Sequence, residues 1–103
     1  MEKFEGRLAC VIQADGTIAR GYMIDTCEFN GINEYIITWK LPLQGGGVKT
    51  NFSGTIGSVL DEPVSPGLIT VSLMQNASQM RVNTFEPNGK PAARPFHIAC
   101  FRD

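Results

Sequence analysis

Glu34-Tyr35-Ile36-Ile37-Thr38-Trp39-Lys40-Leu41 decides the fold class. Side chains alternate across an extended strand, so Tyr35, Ile37, Trp39 and Leu41 share one face, while Glu34, Ile36, Thr38 and Lys40 share the other. A period of two marks a half-buried strand and puts Trp39 in the core. Upstream, Asn30-Gly31 offers the positive φ angles of a tight hairpin, so the run from Ile18 to Phe29 reads as the preceding strand. Asp15-Gly16 repeats the signal one step earlier and joins that strand to a run from Phe4 to Gln13.

Downstream, Pro42-Leu43-Gln44-Gly45-Gly46-Gly47 breaks the chain, and its three glycines predict a flexible loop. Val48 to Phe52 and Thr55 to Leu60 are weaker strand candidates on either side of Ser53-Gly54, and the stretch from Asp61 to Gly67 ends them. Leu68 to Met74, Met80 to Phe85 and Phe96 to Arg102 complete the series, with turns at Gln75 to Gln79 and at Asn88-Gly89 between prolines. About eight short strands and no segment of period 3.6 predict an all-β domain, an antiparallel β-sandwich spanning residues 1–103 as one unit.

An apolar fraction of 43% with 18% charged residues is that of a folding globular chain. A net charge of -1 gives no general attraction to a phosphate backbone, so nucleic acid is not an expected partner. No apolar run approaches the ~20 residues of a membrane helix, and the opening residues lead into no signal-type segment. The expected location is the cytoplasm, or a larger extracellular assembly exported without a classical signal peptide. The three cysteines, Cys10, Cys27 and Cys100, show no metal-ligand spacing and lie in strand-like runs, as small buried thiols do, although one pair could bridge.

Catalysis has no visible apparatus. The single histidine, His97, sits inside the last strand with no nucleophile or carboxylate linked to it in sequence. Asp15, Asp61, Glu62 and Glu86 fall in turns, where short acids support the backbone. Gln44-Gly45-Gly46-Gly47 lacks the following helix and the Lys and Ser or Thr of a phosphate loop. No catalytic residue, metal ligand or cofactor is therefore expected. The Asn51-Phe52-Ser53 and Asn76-Ala77-Ser78 glycosylation patterns are read as chance matches.

The last strand carries Phe96, Ile98 and Cys100 on one face and His97, Ala99 and Phe101 on the other, so both faces are apolar. Such a strand is central and covered, or packed against another subunit. Met80 to Phe85 similarly turns Arg81, Asn83 and Phe85 to one side. If the two strands share a sheet, Phe85, Ala99 and Phe101 form an oligomer interface, with Arg81, Asn83 and His97 beside it as ligand-binding residues.

Ala14-Asp15-Gly16-Thr17-Ile18-Ala19-Arg20-Gly21 and Arg94-Pro95-Phe96-His97-Ile98-Ala99-Cys100-Phe101 carry a resemblance. Together they resemble a family of small bacterial β-domains without an assigned activity, which open on an Ala-Asp-Gly-Thr-Leu-Ala-Arg-Gly type stretch and close on an Arg-Pro-Phe-His-Leu-Ala-Val type strand. The middle strands, Glu34 to Trp39 and Met80 to Phe85, match it only loosely. The resemblance implies the β-fold and no particular chemistry. The architecture is also similar, by analogy alone, to H-type lectin domains and trimeric phage-fibre tips. The resulting expectation is a non-enzymatic, self-associating binding module, a trimer by analogy, with carbohydrate as its first ligand. The alternatives are a structural fibre or appendage subunit or cap, and a small hydrolase drawing carboxylates from separate strands.

Overall fold

The computed structural model describes residues 7–61 and 63–102. Eight strands follow one another: β1 (Arg7–Ile12), β2 (Ile18–Tyr22), β3 (Ile24–Phe29), β4 (Glu34–Trp39), β5 (Thr50–Ile56), β6 (Leu68–Leu73), β7 (Gln79–Phe85) and β8 (Phe96–Arg102). They form two antiparallel four-stranded sheets packed face to face, a first in the order β2-β1-β8-β5 and a second in the order β3-β4-β7-β6. The all-β sandwich read from the sequence is the fold observed. No helix among the described residues is long and apolar enough to cross a membrane. Residues 4–6 of the first expected strand and Glu62 of the following stop lie outside the described residues.

Alternation builds the core as the pattern of β4 requires. Tyr35, Ile37 and Trp39 point inward from β4, Met80 and Val82 from β7, Leu8, Cys10 and Ile12 from β1, and Phe96, Ile98 and Cys100 from β8. Tyr35 brings a polar group to its centre. It stacks on Phe29 at 4.6 Å, meets Phe96 edge-on at 4.9 Å, and donates its hydroxyl to the Ala14 carbonyl at 2.7 Å. That bond satisfies an O–H which burial would otherwise leave without water. Leu43 reaches the core from a loop, held by its amide on the Ala77 carbonyl at 2.7 Å.

The turns form where Asp-Gly and Asn-Gly place them. Gly16, Gly31 and Gly89 have φ of +92°, +89° and +89°, a conformation costly for side-chain-bearing residues. At the second turn, Asn30 Oδ1 accepts the amides of Ile32, Asn33 and Glu34.

Two strand breaks fall differently from the sequence reading, and β4 and β5 stop earlier than expected, at Trp39 and Ile56. The run from Ile18 to Phe29 is broken at Met23, whose φ of +66° sends the chain out of the first sheet and into the second. Its carbonyl accepts the Lys40 amide at 2.8 Å, which fixes the bend. Conversely, Ser53-Gly54 is no break, because β5 runs through it and pairs with β8 from Thr50↔Arg102 to Ile56↔Phe96. Gly54 faces inward, where a Cβ would lie 3.1 Å from Ile69 Cδ1 and 3.2 Å from Ile98 Cδ1. Close packing, rather than turning, is what the missing side chain serves.

Candidate functional site

The register of the first sheet sets a grid on its outer face. Tyr22, Ala9, Ala99 and Ser53 form one row across β2, β1, β8 and β5, and Arg20, Val11, His97 and Thr55 form the next. Outer strands carry longer or polar side chains, while the central ones carry mostly small apolar groups. The result is a groove of about 440 Å³, open to solvent, floored by Ala9, Val11 and Ala99 and flanked by Tyr22 and Arg20 on one side and Ser53 and Thr55 on the other. Tyr22 is 45% exposed at its rim. In the next row along β8, Phe101 is 57% exposed and lies between Arg7 and Asn51.

His97 closes one end. Its Nε2 lies 3.3 Å from the Ser58 carbonyl, and its ring covers Gly57, where a Cβ would come within 3.2 Å of it. A carbonyl only accepts, so this bond requires the proton on Nε2 and leaves Nδ1 of the neutral ring as an acceptor. Among the described residues, the groove lining holds one guanidinium and no carboxylate.

The single face combining β7 and β8 does not form, because the two strands lie in different sheets. His97, Ala99 and Phe101 are on the outside of the first sheet, whereas Arg81, Asn83 and Phe85 are on the outside of the second, across the core. Alternation reports which residues point the same way from one strand and carries nothing about the sheet that strand joins. Arg81 is engaged there by Glu34, its Nε 3.5 Å from Oε2. The structure brings His97 and Ala99 together with four residues the sequence reading missed, Arg20, Tyr22, Ser53 and Thr55. The available signal was the small size of Ala9 and Ala99 at outward positions, which leaves a furrow on a sheet face.

A second cleft, of about 370 Å³, lies at the end of the sandwich between Gln13, Ser58, Val64 and Arg94. Arg94 is buried and spends three of its five N–H donors within the fold: it donates to the carbonyls of Ser65 and Pro66, the latter at 2.8 Å, and pairs with Glu86 at 3.1 Å. It ties down the 63–67 segment. The three cysteines are free thiols, Cys10 and Cys100 buried and Cys27 partly so. Burial pushes Cys27 up to about 11 and Cys100 to about 12, and raises Cys10 further, its neighbours Cys100 and Cys27 adding to the effect. Thiols held neutral are poor nucleophiles and poor metal ligands. The described residues bring together no group of three or more His, Cys, Asp or Glu able to hold a metal ion.

No family model, curated protein or solved structure matches the chain.

Proposed function

We propose that this domain is a non-enzymatic, self-associating binding module that takes a carbohydrate in the groove of the first sheet. One observation carries the reading: an apolar floor of Ala9, Val11 and Ala99 is bordered by the Tyr22 ring and by hydrogen-bonding groups on Arg20, Ser53, Thr55 and His97. A saccharide has apolar C–H faces and a rim of hydroxyls, so it suits a shallow site with an aromatic edge and polar flanks. Arg20, without a carboxylate beside it in the lining, favours a sugar bearing an acidic group. The non-enzymatic part of the reading is supported by His97, whose Nε2 is directed at a main-chain carbonyl and not at a nucleophile or carboxylate.

The test is a titration of the labelled protein with neutral and acidic oligosaccharides, followed by amide chemical shifts. The expected result is perturbation centred on Tyr22, Ser53, Thr55 and Ala99, with binding weakened at least about tenfold by Tyr22→Ala, a loss of about 1.4 kcal/mol. Shifts confined to other surfaces, or none at millimolar sugar, would remove the groove from consideration.

A second reading, a structural subunit of a fibre or appendage, is favoured by Phe101, an aromatic 57% exposed beside the groove. Phe101→Asp discriminates: it disrupts assembly if this face is buried between copies and leaves it unchanged otherwise.

A further inference from the structure

A sandwich of two open sheets has four edge strands, here β2 and β5 in the first sheet and β3 and β6 in the second. An edge presents unpaired backbone groups, and proteins usually blunt it with charge, proline, a bulge or poor strand-forming residues. Three of the edges here are blunted. β2 carries Arg20, lies opposite a bulge between Val11 and Ile12, and ends at the Met23 bend. β3 carries the exposed Asp25 and Glu28, whose charges would repel those of another copy. β5 contains Asn51 and Gly54, both weak strand formers.

β6 has none of these devices. Leu68-Ile69-Thr70-Val71-Ser72-Leu73 contains no charge, proline or glycine and is dominated by residues that favour strands. The phase of its ladder shows what it offers. The Met74 amide donates to the Gln79 carbonyl just beyond the Leu73↔Met80 pair, so Leu68, Thr70 and Ser72 exchange hydrogen bonds with β7. Ile69, Val71 and Leu73 therefore turn their N–H and C=O groups away from β7, on the side where, among the described residues, the sheet has no further strand. Leu68 and Leu73, at its two ends, are 48% and 37% exposed.

We propose that β6 pairs with β6 of a second copy of this chain, antiparallel about a twofold axis at Val71, joining two second sheets into one continuous sheet. The inference rests on the self-association in the reading above and not on the groove. A twofold axis at Val71 sets Val71 against its counterpart, Thr70 against Ser72 and Ile69 against Leu73. Inward residues then meet inward residues, and all three outward-turned backbone positions find partners. The edge is compatible with itself because it carries no charge, and a net charge of -1 adds almost no repulsion between copies. Leu68, whose register partner is Phe85, lies beside the seam, so the apolar pair on the outer face of the second sheet is partly covered by the association.

Sedimentation equilibrium of the full chain from micromolar to millimolar concentration tests this, with Val71→Pro, Thr70→Lys and Phe101→Asp alongside. Proline at 71 removes a donor that faces away from β7, and lysine at 70 brings like charges together across the axis while pointing to solvent in the monomer. The wild type is expected to approach twice 11.3 kDa. Val71→Pro and Thr70→Lys should remain at the monomer mass with unchanged circular dichroism, and Phe101→Asp should still dimerise. If Val71→Pro does not fold, Thr70→Lys decides alone. A monomeric wild type at millimolar concentration, a dimer that persists in the folded β6 variants, or dissociation by Phe101→Asp alone would each overturn the proposal. A wild type that dimerises through β6 yet binds no sugar would remove the groove reading and leave the edge pairing in place.

Discussion

Gly54→Ala probes a close approach between the two sheets. An alanine in a strand is normally favoured over glycine by about 0.5–1 kcal/mol, because less backbone entropy is lost on folding. Here the added Cβ would sit 3.1 Å from Ile69 Cδ1, 3.2 Å from Ile98 Cδ1 and 3.4 Å from Val71 Cγ2. Overpacking of this kind costs about 1–3 kcal/mol, so the net effect is a destabilisation of about 1 kcal/mol, or roughly 4–8 °C in Tm for a domain of this size. Ile69→Val removes the nearest atom. Alone it should cost about 0.5–1.5 kcal/mol, but combined with Gly54→Ala it should cost less than the sum, by on the order of 1 kcal/mol. Urea denaturation of the wild type, both single variants and the double variant closes the cycle. Strict additivity, or a stabilised Gly54→Ala, would show that the β5–β6 corner is looser than these distances imply.

Tyr35→Phe keeps the stacked ring and removes the hydroxyl that bonds the Ala14 carbonyl, so chemical denaturation should show a loss of about 1–2 kcal/mol. Gly67→Ala should be more damaging, about 2–3 kcal/mol, because its Cβ would lie 2.8 Å from the immobile Phe85 carbonyl and 2.7 Å from Arg94 Nη1; a change under 0.5 kcal/mol by the same assay would refute this. The fold should also weaken in alkali. All three thiols have values raised in the native state, to about 11 for Cys27 and about 12 for Cys100, so the stability they contribute is fully present below the unfolded thiol value and lost as pH rises toward the native ones. With an unfolded value of about 8.5, each of the buried thiols Cys10 and Cys100 removes about 2 kcal/mol by pH 10 if it ionises only on unfolding, and the half-buried Cys27 removes less. A urea midpoint that stays level from about pH 8 to pH 10 would contradict that sign.

The inward residues of β4, β7 and β8 were readable because burial of one face imposes a strict alternation on consecutive positions, and the hairpins because glycine marks positive φ. Met23 was not readable: a methionine at positive φ has no local signature, and only the packing of two sheets demands the bend. Ser53-Gly54 was misread because a strand glycine and a turn glycine look alike until the facing side chains, Ile69 and Ile98, are known. The site was less legible still. Its grid depends on β1 pairing with both β2 and β8, and β8 with β5, contacts between positions up to ninety residues apart that no periodicity encodes. Thus His97 and Ala99 were noticed, while Tyr22, Arg20, Ser53 and Thr55 were not.

The Met23 bend makes the two sides of the molecule unequal. At that side one residue stitches the sheets together, and they cannot part there without straining a continuous run of chain. At the other, the chain between β5 and β6 is the longer link of residues 57–67, and the Arg94 guanidinium is the clasp that holds it at Ser65 and Pro66. The sandwich is bound like a book, with a spine at Met23 and a fore-edge at β5 and β6. In the monomer, transient opening should begin at the fore-edge, and the order of amide hydrogen exchange at monomeric concentration, or in Thr70→Lys, should record it, β5 and β6 before β1 and β4. A change that frees Arg94 should widen that difference, while leaving the spine as the last part of the fold to let go.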